Sequence, residues 1–335
     1  MTLLIRDDDV RKAVSFRDVI EAVEDGFRQH GLGLAQTLAR REVRIRGKEL
    51  AHADPRMARI GQGLAFLEQS GVVLIQHVFA FPDRRTPPTR IIKHLIDADN
   101  GDVIAIIDSM NISALRTGAA GAVGAKFLSR KDSKIAGMIG TGRQGRIQLR
   151  ALLQVRPITK AYAYGRNRVR VRKFCEEMRA ELGIDVMPGN SIQQVVEASD
   201  IVVTGTPSMN PIVKAEWLSD GVHVNIIGAD DFPKIELEGV ALKRANKLVI
   251  AAEDCFEIGQ MRIPMAEKTI SAKDVYGTIG EIIAGIKPGR ENEREITIFH
   301  SPGVVLQDAG AAYNVYLKAK ELGLGTNVPD PFVLG

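Results

Sequence analysis

Apolar positions recur along this chain in two different rhythms. Between residues 38 and 108 they come as short extended runs. Residues 38–46 alternate in part, residues 71–81 (Gly-Val-Val-Leu-Ile-Gln-His-Val-Phe-Ala-Phe) are nearly all apolar and end at Pro82, and 89–97 and 102–108 flank the turn Asp99-Asn-Gly101. Short runs joined by tight turns predict an antiparallel sheet. Ahead of them Val19, Ala22, Val23 and Phe27 share one helical face, with Ser15 at the N-cap and Asp18 in the capping-box position. The first hundred residues therefore read as a helix packed with an antiparallel sheet.

From Ser113 the rhythm changes. Residues 113–128 are rich in Ala, Gly and Ser and predict a helix that packs closely. Strand and helix patterns then alternate: strands at 135–139, 161–164, 186–187, 200–204, 222–227 and 247–250, with helices carrying Ile147, Leu149, Leu152 and Leu153, then over 168–182 and 192–198. Such alternation predicts an α/β, doubly wound parallel sheet with helices on both faces. A last helix is predicted over 303–322.

The 335 residues are enough for two domains. Charge is mixed along the chain and sums to +4, which gives no nucleic-acid signature. The one basic cluster is 166–173. Two distant cysteines, Cys175 and Cys255, suggest neither a disulfide framework nor a metal site and fit a reducing compartment. With no signal-like leader and no apolar run near the ~20 residues of a membrane span, a soluble cytoplasmic protein is expected.

The strand at 135–139 runs into Gly140, Gly142 and Gly145, in G-x-G-x-x-G spacing, and then into a helix. This is the pattern of a dinucleotide-binding turn. Gly140 allows the tight turn, Gly142 the approach of a pyrophosphate, and Gly145 close packing of helix on strand. Arg143 and Gln144 sit in the same loop, whose helix N-terminus suits phosphate. The next strand ends Tyr164-Gly-Arg-Asn-Arg168, without the acid that usually binds the ribose hydroxyls of NAD. Arg166 or Arg168, with Asn167 between them, would attract a 2′-phosphate, so NADP is favoured over NAD.

The strings Ile112-Ser-Ala-Leu-Arg-Thr-Gly-Ala-Ala, Ala125-Lys-Phe-Leu, Ile139-Gly-Thr-Gly-Arg-Gln, Thr204-Gly-Thr-Pro, Asn225-Ile-Ile-Gly-Ala-Asp230, Gly289-Arg290 and Ser301-Pro-Gly-Val-Val-Leu-Gln-Asp308 closely resemble the ornithine cyclodeaminase/mu-crystallin family, in its order and spacing from about residue 90 onward. The resemblance implies a Rossmann domain (116–304) inserted into an α+β substrate and dimerisation domain (1–115 with 305–335), a homodimer, and NAD(P)-linked chemistry on small amino or imino acids. Reduction of an α-imino acid, with a dicarboxylic imine such as iminosuccinate among the candidates, is expected first. A cyclodeaminase with bound NAD and a non-catalytic NADPH-binding protein are the alternatives.

The same resemblance assigns roles. Arg116 holds the substrate carboxylate, for which a guanidinium fork is suited. Asp230, next to Asp231, stabilises the iminium or takes a proton from the amine. Thr117 serves a cofactor phosphate or caps its helix, and Thr204, Thr206 and Ser301 lie in cofactor-side motifs. The family's usual lysine six residues before Pro82 is Gln76 here. Gln76 hydrogen-bonds but delivers no proton; His77 and Lys93 are the candidate replacements, and Arg41 or Arg44 a second carboxylate contact.

Overall fold

The computed structural model describes residues 1–45, 58–81 and 89–329, without the side chains of residues 39, 40 and 44. The candidate contact from Arg44 therefore lies outside the described residues. The chain forms two compact units, Met1–Arg116 with Val304–Gly335, and Thr117–Gly303. Among the described residues no helix is long and apolar enough to cross a membrane.

In the first unit, β1 (Thr2–Ile5), α1 (Asp7–Ala13) and α2 (Phe16–Gly31) precede β2 (Ala35–Ile45), β3 (Ala58–Leu67), β4 (Val72–Ala80), β5 (Thr89–Asp97) and β6 (Val103–Asp108). β2 to β6 form an antiparallel meander. β1 extends it, parallel to β6, and the late strand β15 (Thr326–Val328) pairs antiparallel with β1. The helix predicted after Ser15 begins there because its first turn is satisfied reciprocally: Asp18 N–H donates to Ser15 Oγ and Ser15 N–H to Asp18 Oδ2.

A late helix, α10 (Val305–Glu321), packs on α2 and across one face of this sheet. Two glycines let the helices close. A Cβ at Gly310 would lie 2.3 Å from the Ala22 carbonyl oxygen, and one at Gly26 3.2 Å from that of Leu306. Strand alternation then decides what is covered. Leu74, Gln76, Lys93 and Leu95 are buried on the α10 side, while Val73, Ile75, His77, Phe79, Ile92, His94 and Ile96 form a half-buried apolar row on the other.

α3 (Met110–Leu128) carries the chain into the second unit, starting three residues before the predicted 113. Its small residues are needed there. A Cβ at Gly121 would meet Gln148 Oε1 at 2.0 Å, and one at Gly124 the Phe299 ring at 2.3 Å. The unit continues through β7 (Ile135–Ile139), α4 (Arg143–Leu153), β8 (Lys160–Tyr164), α5 (Arg168–Leu182), β9 (Asp185–Pro188), α6 (Ile192–Glu197), β10 (Ile201–Thr204), β11 (His223–Ile226), α7 (Gly239–Arg244), β12 (Lys247–Ile250), α8 (Gly259–Ala266), β13 (Val275–Thr278), α9 (Ile279–Ile283) and β14 (Thr297–His300). All strand pairs are parallel, in the order β13-β12-β14-β11-β10-β7-β8-β9. Strand order reverses between β7 and β10, which is where a doubly wound sheet opens its ligand crevice. Met138, Leu149, Leu152, Phe174, Met178 and Val203 fill the core beneath.

Candidate active site

A cleft of about 590 Å³ opens at the carboxyl ends of β7, β8 and β10. The three glycines each do something different there. Gly140 has φ +112°, and a Cβ on it would lie 2.4 Å from the Gly205 carbonyl oxygen. A Cβ on Gly145 would lie 2.3 Å from the Gly140 carbonyl oxygen, so the helix could not sit this close to the strand with any side chain there. At Gly142 a Cβ would meet nothing within 4 Å, and α4 starts there without a side-chain cap. The open approach lies at the uncapped helix N-terminus, where an anion is stabilised by free N–H groups and the helix dipole.

The cleft is lined further by Tyr164, Arg166, Asn167, Arg170 and Thr206, with no acid among its lining residues. Of the two arginines proposed from sequence, Arg166 faces the cleft, whereas Arg168 lies over the Tyr164 ring and donates to the Gly189 and Asn190 carbonyls. Arg170, in the first turn of α5, is the second cation instead. Asn167 lines the cleft while its Oδ1 caps α5 by accepting from Arg170 N–H at 3.0 Å. Arg143, Gln144, Thr117 and Ser301 are not among the lining residues; Gln144 Oε1 is buried without a partner among the described residues, and the Thr117 carbonyl accepts from Gln148.

Thr204 is fully buried and donates to Glu236 Oε2 at 2.9 Å, so it faces that carboxylate and not the cleft. Thr206 gives both its N–H (2.6 Å) and its hydroxyl (2.7 Å) to Glu236 Oε1. Burial pushes the Glu236 carboxyl up to about 7, against the pull of these hydrogen bonds. On the loop after β11, Asp230 is half-exposed and ion-paired with Lys234, whereas Asp231 accepts its neighbour's N–H, from Phe232. The two adjacent acids are thus engaged differently: Asp231 accepts within its own turn, and the Asp230 carboxylate is held by Lys234.

The first unit holds a separate buried polar cluster. Asp308, from α10, is 1% exposed; its Oδ1 is 3.0 Å from Arg116 Nε and 3.1 Å from Lys93 Nζ. Gln307 Oε1 accepts from Arg116 Nη1 at 3.0 Å. Lys93 is 0% exposed and also donates to Ser109 and Ser113. Gln76 lies directly opposite Lys93 in the β4–β5 register, and its Oε1 is buried with no partner among the described residues.

His77 does not join this cluster. Successive strand residues point to opposite faces, and His77 packs against Phe79 and against His94 (5.2 Å between rings) in the apolar row. Arg41 is exposed on β2. Sequence reading passed over Asp308 and Gln307 as roles, although both stand in the quoted string 301–308, and it gave no sign of Glu236 or Arg170.

The profile of the Ornithine cyclodeaminase/mu-crystallin family matches residues 2–323. The chain is 35% identical to an alanine dehydrogenase of Archaeoglobus fulgidus, covering 98% of each chain. It is similar to the solved structure of the Thermococcus litoralis Delta(1)-pyrroline-2-carboxylate reductase in complex with NADH and L-proline, at 36% identity, a TM-score of 0.88, and coverage of 98% and 100%. It is similar also to an archaeal alanine dehydrogenase dimer with bound NAD, at 33% identity, a TM-score of 0.87, and coverage of 98% and 99%.

Proposed function

Because the chain belongs to the ornithine cyclodeaminase/mu-crystallin family, we propose that it is an NAD(P)H-dependent reductase of small α-imino acids, acting in reverse as an amino-acid dehydrogenase. The observation that carries this reading is the held guanidinium of Arg116. A guanidinium has five N–H donors. Asp308 takes the one on Nε and Gln307 one on Nη1, which fixes the plane of the fork and leaves the Nη2 side for a substrate carboxylate. The relatives named above as alanine dehydrogenase and pyrroline-2-carboxylate reductase handle amino and imino acids that carry such a group.

The turn at Gly140, Gly142 and Gly145 and the cleft beyond it fit a dinucleotide, with α4 receiving the phosphates. When bound, the nicotinamide supplies the hydride, or accepts it in reverse. Asp230 holds positive charge on the substrate nitrogen and exchanges its proton. Gln76 orients by hydrogen bonding. Lys93, spent on Ser109, Ser113 and Asp308, is a positioning residue that holds the carboxylate that holds Arg116.

The test is consumption of NADPH or NADH with ammonia and, in turn, pyruvate, glyoxylate or oxaloacetate, and with a cyclic imine carboxylate. Turnover of one of these is expected. Ammonia release from ornithine or lysine without net cofactor change would replace the reading by cyclodeamination, and tight NADPH binding with no turnover of any would make the protein a binder.

NADP is the cofactor we propose, because the cleft offers Arg166 and Arg170 and no acid where a 2′-phosphate would sit. A hydrogen bond to a charged group is worth about 1.5–3 kcal/mol. Replacing both arginines by alanine should weaken NADPH binding by roughly 10²-fold and leave NADH within a few fold, measured by fluorescence titration. Equal loss for both cofactors would remove the 2′-phosphate assignment. We propose further that the protein is a homodimer, as one similar protein is. The apolar row of β4 and β5 is the face for it, and burial there already holds His94 below its usual pKa, with His77 adding to the effect.

A further inference from the structure

Glu236 is a fully buried carboxylate that the reaction as described does not use. It accepts five hydrogen bonds, one from the end of β10 and four from the loops that follow β10 and β11. Thr206 N–H and Oγ1 meet Oε1; Thr204 Oγ1, Gly228 N–H (2.9 Å) and Ala229 N–H (3.1 Å) meet Oε2. The first loop leaves β10 and lines the cleft through Gly205, Thr206, Pro207 and Ser208. The second leaves β11 and runs into Asp230. Their approach is close enough that a Cβ on Gly228 would lie 2.2 Å from Thr206 N and 2.7 Å from Glu236 Oε1. The Glu236 backbone is itself fixed, its N–H donating to the buried Gln260 at 2.8 Å.

We propose that Glu236 is a positioning residue that clamps the cleft loop carrying Thr206 to the loop carrying Asp230, so that cofactor seat and proton-handling carboxylate are set by one group. The roles of cleft and Asp230 rest on the function proposed above; the clamp itself rests on the hydrogen bonds.

The clamp depends on ionisation. A carboxylate accepts all five donors, whereas the neutral acid turns one oxygen toward N–H groups with a hydrogen of its own. The groups that face it are the hydroxyls of Thr204 and Thr206, with Gln260 on its backbone N–H; on the second loop His300, kept neutral by burial, lies on the Ala229 carbonyl. Asp230 on the same loop is paired with Lys234, and no lysine or arginine pairs with Glu236 among the described residues. The clamp therefore tightens as pH rises through about 7. Global stability responds in the opposite sense. A carboxyl raised in the folded state stabilises folding most at low pH and loses that contribution as pH rises from 4.5 through about 7.

The experiment uses Glu236→Gln, which keeps the shape and sets an NH₂ against donors. Hydrogen-exchange protection at the amides of Thr206 and Ala229 is measured without cofactor across the pH range; Gly228 N–H, shared with the Thr204 carbonyl at 3.1 Å, serves as the control that does not depend on Glu236 alone. In the native protein protection should grow through about 7, and in the variant it should be low and flat. In turnover, the variant should lose roughly 10²-fold in kcat/KM, since a misplacement near 1 Å costs about that much, with a raised cofactor KM and no inflection near neutral pH. Protection and pH profile unchanged in E236Q would overturn the proposal. Should E236Q not fold, Thr204→Val decides: losing one donor must move the inflection to higher pH, and an unmoved one sinks the clamp. If the native protein bound no dinucleotide, the function proposed above would fail, while the exchange data would still decide the clamp.

Discussion

Arg116→Ala should lower kcat/KM for the imino acid by about 10² to 10³-fold, while NADPH should bind as before. The size follows from truncating one partner of a buried, hydrogen-bonded charge pair, worth about 3–4 kcal/mol, at 1.4 kcal/mol per factor of ten. The residue is 7% exposed, so its pairing with a carboxylate is screened little by water. The described lining residues of the cleft beside β7 all lie in the other compact unit, which is why dinucleotide binding serves as the internal control. Arg116→Lys should recover only part of the loss, because an ammonium keeps the charge but not the planar fork that Asp308 and Gln307 hold in place. Steady-state kinetics with a fixed saturating cofactor measures it. If the alanine variant turned over imino acid with a native KM, Arg116 would be a structural partner of Asp308 and nothing more.

The second large effect concerns stability. In Asp308→Asn the shared negative charge disappears and leaves Lys93 and Arg116 side by side in the interior. Leaving a buried charge uncompensated costs about 3–5 kcal/mol. At roughly 2–4 °C per kcal/mol for domains of this size, Tm should fall by about 6–20 °C, read by differential scanning calorimetry. The coupling has a signature. Lys93→Met in the Asp308→Asn background removes the like-charge contact, so the double variant should be more stable than the sum of the two single losses. Strict additivity would mean that the two groups do not interact through the pair described.

What was legible in the sequence was mostly local. The capping box at Ser15 and Asp18, the helix Arg168–Leu182 and the strand Lys247–Ile250 stand where the residue pattern placed them, because caps, periodicity and turns act over a few residues. β3 was missed: Gly61 and Gly63 interrupt the alternation that marks a strand. β1 was missed because four residues carry little pattern and their partner, β6, lies about a hundred residues away. The glycine turn was readable because phosphate binding demands that spacing. Arg168 and Arg170 have the same charge and lie two residues apart; only the stacking on Tyr164 tells which one turns away. Glu236 was silent for a similar reason. Its partners Thr204 and Thr206 sit some thirty residues earlier, and a single Glu between Ile235 and Leu237 does not announce that it will be buried.

The first compact unit is written in two pieces, with the whole of Thr117–Gly303 between them. On the ribosome, synthesis runs from the N-terminus, and domains fold as units as they emerge. The β2 to β6 meander is therefore made long before α10, the helix that covers one of its faces. During that interval Leu74 and Leu95 have no α10 to cover them, and Lys93 waits for the carboxylate of Asp308. Thr117–Gly303 holds an entire parallel sheet of its own and has everything it needs to fold in the meantime. The order of assembly is thus built into the order of the chain: the cleft beside β7 has all its described lining before α10 is made, and the cluster around Lys93 and Arg116 waits for the carboxylate that α10 brings.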